Sequence, residues 1–158
     1  MEVQLLNLPH GGALRLRAAK AGDGEALVDV WRRSVVAAYD FLAPGAVEEI
    51  EGQVRREMAR VPELWLAEAG GRPVGFLGCE GAHVAMLFVA PDWFRRGVGS
   101  LLLAHARRLH GPLWLEVNEG NPAGLAFYRA RGFNVTGRSS VDSRGRPYPI
   151  LHLRQDEA

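Results

Sequence analysis

The sequence predicts an α/β (α+β) fold with seven strands and four helices in the order β-α-α-β-β-β-α-β-α-β-β. Three observations predict it. Short apolar runs, some alternating with polar residues and some continuous, read as strands. Longer segments between them repeat apolar residues every third or fourth position, as helices do. Glycine, proline or asparagine stands at most of the junctions.

The elements follow in order. Residues 13–19, ALRLRAA, alternate and form the first strand. Asp23 is placed to cap a helix whose apolar stripe is Leu27, Val30, Trp31, Val35 and Ala38. Pro44 and Gly45 end it. A second helix carries Val47, Ile50, Val54 and Met58 on one side. Residues 64–80 hold two strands around Gly70-Gly71, a hairpin signal. The run HVAMLFVAP, 83–91, is almost wholly apolar and belongs in the middle of a sheet covered on both faces. A helix runs from about Gly97 to Leu109, and residues 112–118 are the next strand. Asn121 caps a short helix, with Pro122 at its first position and Gly132 terminating it. Residues 134–154 close the chain as a hairpin around Arg144-Gly145.

Composition narrows the function. With 158 residues, a single domain spanning 1–158 is expected. Cys79 is the sole cysteine, which excludes an internal disulfide and fits a reducing compartment. The start, MEVQLLNLPHGG, lacks the basic and apolar regions of a signal peptide. No apolar run approaches the ~20 residues of a membrane helix. A cytoplasmic protein without a membrane partner is therefore expected. Residues 1–68 carry eight basic and eleven acidic residues, while residues 69–158 carry eleven and seven. Lys20 is the only lysine, so the basic charge of the second part is all arginine. Arginine suits phosphate, but no basic stripe is interleaved with aromatics, which argues against nucleic acid.

One corner concentrates that charge. The strand ending at Val89-Ala90-Pro91 is followed by Arg95-Arg96-Gly97-Val98-Gly99 and then by a helix. The first N–H groups of a helix lack intrahelical partners and lie at the positive end of its dipole. Glycines there let an anion approach the amides, and the arginines add charge, so the corner suits phosphate. No Lys-Ser/Thr follows the glycines and no third glycine is present, so it is neither a P-loop nor a dinucleotide fingerprint.

The stretches FVAPDWFRRGVGSLLL and NEGNPAGLAFYRARGF together resemble the GNAT superfamily of N-acetyltransferases. WRRSVVAAYDFL, VTGRS and GRPYPILHL add a likeness to its small bacterial YjaB-type members. The resemblance covers nearly the whole chain. It implies a central, twisted, mixed and mostly antiparallel sheet flanked by the four helices, with acetyl-coenzyme A as acetyl donor and no metal. It puts the donor's pyrophosphate on Arg95, Arg96, Gly97, Val98, Gly99 and Ser100. It lays the pantetheine arm along Leu87, Phe88 and Val89, and brings Asn121 and Phe127 to the cofactor's edge. Two residues depart from the family pattern. Phe94 stands where Gln or Arg is usual, which removes a polar contact. Gly124 stands where alanine is usual, which should loosen that helix.

Acetyl transfer to an amine needs two proton-handling groups. An alkylammonium, with pKa near ~10.4, must lose a proton before it attacks, and the departing thiolate must be protonated or stabilised. Tyr128 matches the tyrosine that the family commonly uses for the second task, although a helix aromatic also serves as core. His83 is the candidate base, at a position where some members carry a catalytic glutamate. Glu80, Glu116 and bulk water are its rivals, and a purely structural role for His83 stays open. Family architecture puts the acceptor between the first two helices and the late hairpin, so Tyr39, Phe41 and Tyr148 are candidate walls, with a core or hinge role equally open to them and favoured for Phe41. The acceptor implied is a primary amine, on a protein lysine or N-terminus or on a small molecule; the acidic first part favours a cationic one such as a lysine side chain, polyamine or amino sugar, although a solvated acidic helix face explains the same charges. A coenzyme A-binding module without catalysis is the alternative, favoured by Phe94 and disfavoured by Tyr128. Apolar edge strands often pair in this family, which leaves a homodimer open.

Overall fold

The apolar runs in the middle of the chain are continuous because both faces of the sheet they build are covered. The computed structural model describes residues 4–7, 13–38 and 45–157. Its strands are β1 (Gln4–Asn7), β2 (Ala13–Ala18), β3 (Glu63–Ala69), β4 (Arg72–Glu80), β5 (His83–Val89), β6 (Trp114–Asn118), β7 (Phe133–Ser139) and β8 (Ile150–Gln155). Its helices are α1 (Gly24–Ala38), α2 (Ala46–Arg60), α3 (Val98–His110) and α4 (Pro122–Arg129).

The strands form one open sheet in the order β1-β2-β3-β4-β5-β6-β8-β7. That is one strand more than the sequence predicts. β1 is only four residues long, and its pairing with β2 (Leu5 opposite Arg15) makes it a strand. Every neighbouring pair is antiparallel except β5 and β6, so the sheet is mixed and mostly antiparallel, as expected.

Successive residues of the central strands go to opposite sides, as the two-residue period of a strand requires. Leu66 and Phe76 join one core with Leu27, Trp31 and Val54 of α1 and α2. Ala67 and Leu77 join the other with Leu102 and Ala106 of α3, and with Leu113 and Phe133. Leu27, Val30, Trp31 and Val35 are buried in the predicted stripe, while Val47, Ile50 and Met58 pack at the edge of the same core.

Asp23 departs from its predicted role. It is the third residue of a 3-10 turn, Ala21–Asp23, that leads into α1. Its carboxylate faces backwards, accepting the Lys20 amide at 2.7 Å and both terminal nitrogens of Arg17 at 2.9 Å. Arg17 also donates to Glu68 on β3 at 3.1 Å, so a half-buried cation between two carboxylates ties β2, β3 and the start of α1 together.

Candidate active site

β5 and β6 meet at one register position, His83 opposite Trp114, and separate beyond it. A one-residue shift in the β4–β5 register, from Gly78↔Met86 to Cys79↔Val84, leaves Ala85 as the extra residue of a β-bulge close to the point of divergence. A cavity of about 890 Å³ fills the gap. Leu87, Phe88 and Val89 line one wall, and Leu115 to Asn118 line the other. Past His83, no strand among the described residues pairs with the β6-facing edge of β5, so peptide groups of that edge are offered to whatever fills the cavity. This explains why the central apolar strand is only partly buried at Leu87–Val89.

The start of α3 closes one end. Arg95 is the only non-glycine residue with positive φ (61°) among the described residues, and it lines the cavity. Such backbone costs on the order of 1 kcal/mol or more and marks a loop held in a set shape. Gly97 follows at φ 87° as the residue before α3, where a side chain would be strained although the space is open. Val98, Gly99 and Ser100 line the same wall. Gly99 has a packing role that the sequence did not reveal. A β-carbon there would stand 2.8 Å from Cζ of Phe127, so the glycine lets α3 and α4 touch.

The two adjacent arginines part company. Arg96 does not line the cavity; its guanidinium lies over the Trp93 ring, 4.0 Å from the centroid. Arg131, in the turn after α4, does line it. The sequence reading missed this residue. Its position four after Phe127, hence on the same helical side, was the available signal.

Across the cavity, α4 presents Asn121, Phe127 and Tyr128. Tyr128 is packed edge-on between Phe127 and Phe133, with ring centroids 5.2 and 5.4 Å away. Asn121 caps α4 by accepting the Gly124 amide at 3.0 Å. Gly124 therefore does more than loosen the helix. A β-carbon at 124 would lie 2.3 Å from the Asn121 side-chain nitrogen and displace the cap.

His83 and Glu116 form a pair. The His83 Nε2 lies 2.8 Å from the Glu116 Oε2, and the imidazole stacks on Trp114 at 4.0 Å and 22°. Glu116 lines the cavity and His83 stands behind it. Glu80 is off the cavity, 3.6 Å from Arg60 at the end of α2. Tyr148 is also off the cavity, in the loop between β7 and β8. That loop is fastened to α2: Arg146 donates to Gln53 at 3.1 Å and to Asp142 at 2.7 Å, and lies 3.4 Å from Glu49. Burial pushes the Asp142 carboxyl up, but the Arg146 amide and guanidinium and the Arg144 amide together hold it below the usual aspartate range. Tyr39, Phe41 and Pro44 lie outside the described residues. Among the described residues, no group of three or more His, Cys, Asp and Glu side chains is placed to hold a metal, and no helix is long and apolar enough to cross a membrane.

Comparison with known proteins agrees with this architecture. Residues 61–135 match the family model described as an acetyltransferase (GNAT) domain. The chain is 41% identical to the peptidyl-lysine N-acetyltransferase YjaB of Salmonella typhimurium, covering 89% of this chain and 97% of that protein. It is 30% identical to the peptidyl-lysine N-acetyltransferase YiaC of Escherichia coli, covering 86% and 94%. It superposes on the solution structure of apo YjaB from Escherichia coli with a TM-score of 0.84, at 41% identity over 92% of this chain and 99% of that one. With the split parallel pair and the glycine loop at the head of α3, these matches show that the chain belongs to the GNAT family of N-acetyltransferases, enzymes whose acetyl donor is acetyl-coenzyme A.

Proposed function

We propose that the chain transfers the acetyl group of acetyl-coenzyme A to the side-chain amine of a protein lysine, directly and in the cytoplasm. The relatives named as peptidyl-lysine N-acetyltransferases support the acceptor class. The single observation that carries the chemistry is the cavity between the parted strands, with a His–Glu pair on one side and a tyrosine on the other.

The residues present fit the donor. The free edge of β5 at Leu87–Val89 offers peptide groups to its amide-rich arm. The first amides of α3, with Arg95 beside them and open space at Gly97, would hold its phosphates. When bound, acetyl-coenzyme A supplies an acetyl group activated as a thioester. The protein's residues do the rest. Glu116, on the cavity wall, accepts the proton of the acceptor ammonium, and His83 fixes the carboxylate and passes charge towards solvent. Tyr128 donates a hydrogen bond or proton to the departing thiolate, held in place by Phe127 and Phe133.

The test is thiol release from acetyl-coenzyme A with two peptides, both blocked at the N-terminus, one carrying a lysine and one carrying arginine in its place. Release with the lysine peptide alone, with the acetyl group found on the lysine nitrogen, is expected. Release with small amines but neither peptide would overturn the acceptor class. Tight coenzyme A binding without release for any amine would favour the non-catalytic module.

A further inference from the structure

Arg131 is a cation without a counter-charge. It is half-buried, and no carboxylate lies within ion-pair distance of it among the described residues. Its Nε donates to the Ser100 hydroxyl at 2.7 Å, its Nη1 donates to the Phe127 carbonyl at 2.7 Å, and its guanidinium lies 3.7 Å over the Phe127 ring. Burial alone pulls it below the usual arginine range, with no acidic group opposing the shift. A buried charge is costly unless it is paired, so a guanidinium held this firmly on a cavity wall is built to meet an anion. Ser100 belongs to the first turns of α3, which places Arg131 beside the amides at the positive end of that helix.

We propose that Arg131, and not Arg96, is the second cation of the donor's diphosphate site, alongside Arg95. The assignment rests on the reading of the cavity as the acetyl-coenzyme A site. It also accounts for Phe94, an exposed apolar side chain on the same wall: the polar contact that this loop lacks at position 94 comes from the turn after α4. Arg96, over the Trp93 ring, is not on the cavity wall.

Calorimetric titration tests this without reference to activity. The probes are coenzyme A, dephospho-coenzyme A, which keeps the diphosphate but lacks the 3′-phosphate, and pantetheine, which has no phosphate. Arg131→Gln retains hydrogen-bond donors for Ser100 and Phe127 but loses the charge. It should weaken both coenzyme A and dephospho-coenzyme A by about 10–100-fold, the size of a lost charge-assisted contact. Pantetheine should change by less than about twofold. Arg131→Lys should recover most of the coenzyme A affinity, and Arg96→Gln should stay within about threefold of wild type. Loss of all three probes alike in Arg131→Gln would make Arg131 a mere support for α4 and overturn the assignment. Loss in Arg131→Lys as large as in Arg131→Gln would overturn it too, because the charge would then be irrelevant. Dephospho-coenzyme A binding that ignores position 131 would assign the residue to the 3′-phosphate instead, against this proposal. A wild-type chain that binds none of the probes would overturn the donor reading itself, which separates that failure from a failure at Arg131.

Discussion

Adding one methyl group to the head of α3 separates two readings of Gly99. If the glycine only grants an anion access to amides, Gly99→Ala should stabilise the helix by up to about 1 kcal/mol, the usual difference in helix propensity. The packing says otherwise. The new β-carbon would stand 2.8 Å from Cζ and 3.3 Å from Cε1 of Phe127, where ordinary contact begins near 3.4 Å. The ring must retreat by several tenths of an ångström, and Phe127 is wedged between Gly99, Tyr128 and the Arg131 guanidinium. Overpacking of this kind costs about 1–3 kcal/mol. Set against the propensity gain, the expected net loss is up to about 2 kcal/mol, or up to about 6 °C in Tm for a domain of this size. Coenzyme A affinity should fall by about tenfold as Phe127 carries Arg131 away from the diphosphate. Thermal melts and calorimetry measure both quantities. Phe127→Leu in the Gly99→Ala background should recover part of the stability, because the shorter side chain vacates the clash. An alanine variant that melts higher than wild type and binds coenzyme A unchanged would refute the reasoning.

Four further outcomes follow from the site and its surroundings. Tyr128→Phe should keep the fold and bind coenzyme A within about twofold, while turnover with a lysine peptide falls by roughly 10–10³-fold; unchanged turnover would return Tyr128 to packing alone. Glu116→Gln should lower turnover by about 10²–10⁴-fold with donor affinity intact, and the deficit should shrink as rising pH deprotonates the amine. His83→Gln should cost less, because it acts through Glu116; a larger effect at His83 than at Glu116 would reverse their roles. Asp23→Asn should cost about 1–3 kcal/mol at pH 7 by leaving Arg17 short of a partner. The Arg17 guanidinium holds the Asp23 carboxyl below its ordinary value of 3.8, with burial opposing and the Lys20 amide assisting. The ionised form therefore favours the fold, fully above pH ~4 and decreasingly as pH falls below it. Urea melts from pH 7 to 2 should show wild type converging on the variant, and a constant gap across that range would contradict the assignment.

Much of this was legible in the residues. The stripe Leu27, Val30, Trp31, Val35 is a local pattern, and local periodicity survives into the fold. The run 83–91 announced a central strand, and Gly97 announced the tight turn at the head of α3. What was not legible is non-local. His83 and Glu116 are 33 residues apart, and only the single register contact of β5 with β6 brings them together. Arg95 and Arg96 are equivalent as letters; the positive φ at Arg95 accompanies one side chain on the cavity and the other on Trp93. β1 is four residues whose strand character comes from β2, not from any period of its own. Gly124 looked like a weakness by helix propensity, yet the Asn121 cap needs the space that it leaves.

The central claim is that the donor occupies the gap where β5 and β6 part, with its phosphates at the head of α3. An amide NMR titration of the uniformly labelled chain with coenzyme A tests this most directly. The account predicts the largest shifts at Leu87–Val89, at Gly97–Ser100 and at Asn121–Tyr128, with β1, β2 and the Arg17 cluster unmoved. Large shifts confined to the β2–β3 side of the sheet, or to the loop between β7 and β8, with the α3 amides still, would contradict it.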